Sequence, residues 1–151
     1  MLNTDFRDML SALLDAHAEF LLVGAYALAV HGVPRATGDM DLLLRPSSEN
    51  AARVMTALQH FGAPLFDLSQ DDLQQPDTVF QIGLAPRRID LLTSIDGVDF
   101  EEAWRERIET TVEGLVIQVI GQQHLIQNKR AVGRPKDMAD VAWLEAEREE
   151  P

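Results

Sequence analysis

Apolar residues recur along this chain with two different periods, and the change from one to the other divides it into elements. Phe6, Met9, Leu10, Leu13 and Leu14 follow the i, i+3, i+4, i+7, i+8 stripe of an amphipathic helix, with Asn3 or Thr4 available as its N-cap. Phe20-Leu21-Leu22-Val23 is a short apolar run interrupted by Gly24, after which residues 25–31 read as a helix closed by Gly32. The glycines and proline of 32–38 predict a loop, and Asp39 to Leu44 predicts a strand stopped by Pro46. Ala51, Val54, Met55, Leu58 and Phe61 return to helical spacing, from a Ser48 cap to Gly62.

Residues 63–78 show no sustained period and predict a surface connection. Val79 to Leu84 and Arg88 to Thr93 then flank Ala85-Pro86-Arg87, as a hairpin would, and Ile108–Val112 with Leu115–Ile120 form a second pair turned by Glu113-Gly114. Trp104 falls in an amphipathic helical stretch between the pairs. Gln122–Val132 and Lys136–Glu147 predict two C-terminal helices, so that the region 121–148 is helical apart from Gly133-Arg134-Pro135. The expected whole is a single α+β domain over 1–151, a mixed β-sheet with helices packed mainly on one side.

Composition narrows the chemistry. The chain has 151 residues and no cysteine, which excludes disulfides, thiolate zinc sites and thiol catalysis and leaves oxygen or imidazole for any metal. No apolar run reaches the roughly 18 to 20 residues of a membrane span and the start lacks a basic signal region, so no membrane partner and a cytoplasmic location are expected. The net charge of -12 opposes non-specific DNA binding by long-range repulsion. Local cation clusters stand against that background: Lys129, Arg130, Arg134 and Lys136, and the pair Arg87-Arg88 beside Asp90.

Three acids sit where strands should be apolar. Asp39 and Asp41 flank Met40, and alternation puts i and i+2 on one face, while Asp90 interrupts Ile89 and Leu91-Leu92. Like charges so placed either raise a pKa strongly or recruit a cation. On neighbouring strands, about 4.8 Å apart, the three would converge. Such a cluster suits Mg2+ (or Mn2+), which takes a few carboxylates together with waters and substrate phosphates at about 2.0 to 2.1 Å. Upstream, a strand that ends at Gly24-Ala25 and feeds a helix leaves backbone N–H groups able to hold phosphate.

Val23-Gly24-Ala25, the string His31-Gly32-Val33-Pro34-Arg35-Ala36-Thr37-Gly38-Asp39-Met40-Asp41, and a later strand acid at Asp90 together resemble the nucleotidyltransferase superfamily that shares the polymerase-β palm. The likeness is to its minimal bacterial branch of stand-alone enzymes and toxins of toxin–antitoxin pairs. Lys129, Gly133-Arg134-Pro135-Lys136-Asp137 and Asp140 match that branch's late motif, so the resemblance spans roughly 20–145. One departure is Ala25, where the pattern usually has glycine or serine; a hydroxyl for the terminal phosphate is missing.

The resemblance implies metal-dependent transfer of a nucleoside monophosphate from an NTP to a hydroxyl of protein, RNA or small molecule. Asp39 and Asp41 would bind the metal, Asp90 would complete the site and take the acceptor's proton, and Lys129 would contact the nucleotide phosphates. Gly24 and Ala25 would supply backbone donors. Arg35 and Thr37 either serve substrate phosphate or rigidify their loop and pair with Asp39. The basic set 129–136 either joins the site or complements helix ends, and Asp137 and Asp140 read as structural. His31 suits a helix C-terminus better than a ligand role. A chain this short leaves little room for an acceptor domain, so a homodimer or cognate protein is a possible partner. The alternative function is a catalytically silent binding or antitoxin module.

Overall fold

The computed structural model describes residues 2–35 and 38–149. Its first element, α1 (Thr4–Asp15), begins at Asn3, whose side chain accepts from the Phe6 N–H; Asn3 rather than Thr4 is the cap because it keeps the extended backbone that a cap needs. The stripe Phe6, Met9, Leu10 and Leu13 is buried. Each such side chain contributes about 1.5 to 3 kcal/mol of burial. Strand β1 (Phe20–Val23) leads without a loop into the short helix α2 (Gly24–Val30). His31 closes α2, its Nε2 lying 2.7 Å from the Ile120 carbonyl oxygen, to which it donates. That contact makes His31 a fastener between α2 and the end of strand β6 (Leu115–Val119).

Strand β2 is Met40–Leu44, and α3 is Ser48–Phe61. The cap of α3 is Ser47, one residue before the expected Ser48: Ser47 is extended and accepts from the Asn50 N–H, whereas Ser48 is already helical. Gly62 ends α3 in the left-handed conformation that a residue without Cβ adopts at little cost. Within the connection 63–78 a 3-10 turn, Asp72–Gln74, buries Leu73. The hairpin follows as β3 (Val79–Ile82) and β4 (Ile89–Leu92), then α4 (Phe100–Arg105), which holds Trp104. Strand β5 (Ile108–Val112) pairs with β6, and α5 (Gln122–Val132) and α6 (Pro135–Glu149) complete the chain.

The six strands form one mixed sheet in the order β3-β4-β2-β1-β6-β5. β2 runs antiparallel to β1 and parallel to β4, and β1 runs parallel to β6. All four residues of β1 are buried, as expected of a central strand covered on both faces. Leu22 and Met40 share one face and line a cavity with Leu10, which places α1 on that side with α3 packed beside it. The opposite face, bearing Leu43, is met by Phe100 of α4 at one end. At its other end this second face carries the acids. Among the described residues no helix is long and apolar enough to cross a membrane.

Asn50 is the polar exception in this core. It is 1% exposed, and its amide accepts from the Glu19 N–H at 2.7 Å and donates to the Glu19 and Arg45 carbonyls at 2.9 Å each. It thereby ties α3 to the entrance of β1 and the exit of β2. Asn50→Ala would remove all three hydrogen bonds and leave the Glu19 N–H and the Arg45 carbonyl without that partner, while the Glu19 carbonyl keeps the Arg45 N–H at 3.2 Å; we expect it to lower unfolding free energy by about 2 to 4 kcal/mol, read as a lower urea midpoint at unchanged m.

Candidate active site

Register brings the acids together. Val23 pairs with Asp41, Asp41 with Asp90, and Asp90 with Gln81, so one row crosses four strands and carries two carboxylates directly opposed on parallel neighbours. Asp39, two residues before Asp41, belongs to the same face. The three acids expected from sequence to converge therefore do lie on one sheet face. Gln81, exposed beside Asp90, joins the row and was not singled out by the sequence reading.

Electrostatics show the strain of this arrangement. The Asp41 carboxyl is pushed up from its ordinary range to about 7, first by burial, then by the charge and hydrogen bonding of Asp90 and by the charge of Asp39. Arg88 opposes that shift. Its Nε donates to Asp90 Oδ1 at 2.6 Å and its Nη2 to Asp90 Oδ2 at 3.1 Å, while Nη2 lies 3.4 Å from Asp39 Oδ2. The Arg88 backbone N–H also donates to Asp39 Oδ1 at 2.8 Å. Arg88 stands two residues before Asp90, so the same alternation that aligns Asp39 with Asp41 aligns it with Asp90. The sequence carried that signal in the doublet Arg87-Arg88.

Gly24 approaches from the end of β1. Its φ is +69°, and a Cβ built there would stand 2.3 Å from Asp41 Oδ2. Two constraints thus select glycine: the left-handed backbone and the carboxylate against it. The first N–H groups of α2, at Gly24 and Ala25, lie outside that helix's own ladder, and Gly24 stands against Asp41.

The late motif builds a second cluster. Lys129 Nζ lies 3.3 Å from Asp137 Oδ1 and 3.4 Å from Asp140 Oδ2, linking α5 to α6. Arg134 donates to Asp137, and Arg35 is ion-paired with Asp140. The Arg134 hydrogen bonds, with those of Lys129, hold the fully buried Asp137 carboxyl down at about 2, and burial lowers the Lys129 pKa. Asp137 and Asp140 thus take the structural part expected of them. Arg35 pairs with Asp140 rather than with Asp39. Among the described residues no hydrogen bond or ion pair joins Arg35 or Lys129 to the three acids. Thr37 lies outside the described residues.

The chemistry of the donor set fits a divalent cation: three hard oxygen ligands gathered on one face with a deficit of positive charge. Yet among the described residues no group of three carboxylate or imidazole side chains is disposed to hold an ion as it stands. Arg88 engages both oxygens of Asp90.

A mixed sheet of this order, with the acids on one face at β2 and β4 and a glycine turn between β1 and α2, defines the chain as having the nucleotidyltransferase fold. Solved structures bear this out. A protein assigned to the nucleotidyltransferases from Thermotoga maritima matches with a TM-score of 0.62 at 14% identity, over 93% of this chain and 91% of that one. The lincosamide antibiotic adenylyltransferase LnuA, solved with lincomycin, matches with a TM-score of 0.60 at 12% identity, over 97% and 98%. ANT(2'')-Ia, solved with adenylyl-2''-tobramycin, matches at 0.56 and 14%, over 95% and 92%. No family model matches the sequence, and comparison with curated proteins finds no match.

Two measurements probe this geometry. Gly24→Ala should lower stability by about 1 to 3 kcal/mol in urea denaturation, from the left-handed backbone and the displaced Asp41 carboxylate. Asp41→Asn should stabilise the metal-free protein in a pH-dependent way. Between about pH 4 and pH 7 the folded Asp41 holds a proton that the unfolded one has released, so stability falls as pH rises through that window. Thermal melts in EDTA should therefore show little gain for Asp41→Asn at pH 4 and the full gain above pH 7. A gain that shrinks with rising pH would contradict the crowded cluster.

Proposed function

We propose that this chain is a metal-dependent nucleotidyltransferase that moves a nucleoside monophosphate from an NTP to a hydroxyl group. The observation that carries this reading is the in-register opposition of Asp41 and Asp90, with Asp39 on the same face, within a nucleotidyltransferase fold. Such a costly concentration of charge has no use in holding the sheet together. The same three acids would hold Mg2+ or Mn2+, which when bound would offset the charge of the triphosphate and of the departing pyrophosphate.

The acceptor oxygen attacks the α-phosphorus; a new P–O bond forms, the bond to the bridging α–β oxygen breaks, and pyrophosphate departs with that oxygen. Asp90, paired with Gln81 at the β3 side of the row, receives the acceptor's proton. Backbone N–H groups at Gly24 and Ala25 orient the phosphates, and the close fit of Gly24 against Asp41 sets how far they enter. Arg35, Thr37 and Lys129 are assigned to the nucleotide side of the site, Arg35 and Lys129 through their shared partner Asp140. ATP is the first nucleotide to try, because two of the similar structures are adenylyltransferases, and of the acceptor classes expected, protein, RNA and small molecules, those two favour small-molecule hydroxyls. Transfer onto protein or RNA would suit a toxin of a toxin–antitoxin pair.

A second reading has its own support. With Arg88 forked onto Asp90 and no hydroxyl at Ala25, the chain could be a catalytically silent binding or antitoxin module. One assay separates the two: protein is incubated with each α-labelled NTP and cell lysate, with and without EDTA, and label is sought on protein, RNA and small molecules. Wild type should transfer label, EDTA should abolish it, and Asp41→Asn should lower the rate by at least about a hundredfold while folding normally. Transfer undiminished in Asp41→Asn would refute the mechanism, and no transfer by wild type with any NTP would favour the silent module.

A further inference from the structure

Arg88, on the same face as the acids, has no part in the transfer chemistry described above. Its guanidinium covers Asp90 with two hydrogen bonds, at 2.6 and 3.1 Å, and reaches Asp39 Oδ2 at 3.4 Å, so a single cation bridges two of the three acids. Both Asp90 oxygens present to Arg88 the lone pairs that a metal ion would use, and two cations a few ångströms apart repel strongly. Guanidinium and divalent ion are therefore alternative occupants. The Arg88 side chain is 28% exposed, which leaves it a path outward, and its backbone is held independently by the hydrogen bond to Asp39 Oδ1.

We propose that Arg88 is a built-in counter-ion of the acidic cluster that a divalent cation displaces, and that the released guanidinium then binds the phosphates of the incoming nucleotide. This rests on the nucleotidyltransferase reading above. Without metal, the fork on Asp90 offsets the repulsion among the acids and keeps them in register. With metal, the displaced guanidinium stays tethered two residues from Asp90 on the same face. There its planar donor fork matches phosphate oxygens. Arg88 is thus a positioning residue for the carboxylates in one state and a nucleotide ligand in the other.

The test begins with wild-type protein, where the Arg88 Nε–H can be followed by NMR as Mg2+ is added. We expect its signal to be sharp and protected in EDTA and to shift and lose protection as the ion binds. Mn2+ titrations without nucleotide, read by electron paramagnetic resonance, extend the test to variants. Arg88→Gln should bind Mn2+ at least about tenfold more tightly than wild type, because the competing positive charge is gone, and Arg88→Lys should fall between. In EDTA Arg88→Gln should melt below wild type, and with nucleotide its KM should rise more than its kcat falls.

If wild type and Arg88→Gln bind Mn2+ equally, or the Nε–H signal is unmoved by saturating Mg2+, Arg88 is a fixed structural partner and the proposal is overturned while the metal site stands. Failure of wild type, Arg88→Gln and Arg88→Lys alike to bind Mn2+ would overturn the metal site and this proposal together.

Discussion

The arrangement on which the rest depends is the direct opposition of Asp41 and Asp90 across the parallel pair β2 and β4. Like charges facing each other on neighbouring strands are destabilising in any sheet. Here burial adds to the repulsion. A sheet tolerates such a row only if its other residues over-determine the register, and these do. Met40 and Leu42 of β2 and Ile89 and Leu91 of β4 are buried on the face toward α1, so a slip by one residue would carry an aspartate into that apolar layer. The hydrophobic pattern holds the acids where electrostatics alone would separate them.

Neighbouring features read as consequences of that row. Gly24 is glycine because the Asp41 carboxylate stands where a Cβ would be, and Arg88 lies on the Asp90 face because alternation puts it there. The second ionic cluster has the opposite character. Asp137 and Asp140 each meet two cations, and they join α5, α6 and, through Arg35, the loop that leads into Asp39. Each charge there is offset by a partner, as a buried pair must be if it is not to destabilise the fold. One cluster sets three cations around two carboxylates and ties the C-terminal helices to that loop; the other keeps an excess of negative charge.

Much of this was legible in the chain. The change of hydrophobic period located both hairpins and five of the helices, because each element has one clear apolar face. Short α4 was visible only as an amphipathic stretch around Trp104. The acids stood out for the simplest reason: Asp39, Asp41 and Asp90 occupy positions where a strand should be apolar. Strand order was not legible, since nothing in the local pattern says that β2 sits between β1 and β4, and the mutual placement of Asp41 and Asp90 is a property of that order. Arg88 was seen only as one of a basic doublet. Its role follows from spacing two before Asp90, but the weight of that spacing appears only once Asp39 is known to face it.

The charge balance also bears on how a nucleotide would enter. Three carboxylates against one guanidinium leave the cluster negative, on a chain whose net charge is -12. A free triphosphate would meet repulsion both at long range and at the site. A triphosphate arriving with its divalent cation brings the charge that the acids lack, and it offers phosphate oxygens to whatever cation the metal displaces. On the proposed function, affinity for metal and affinity for nucleotide would be linked through the same few atoms, each raising the other by an equal factor. With Gly24 against Asp41 and Arg88 reaching both Asp39 and Asp90, that linkage would lie within one face of a β-sheet.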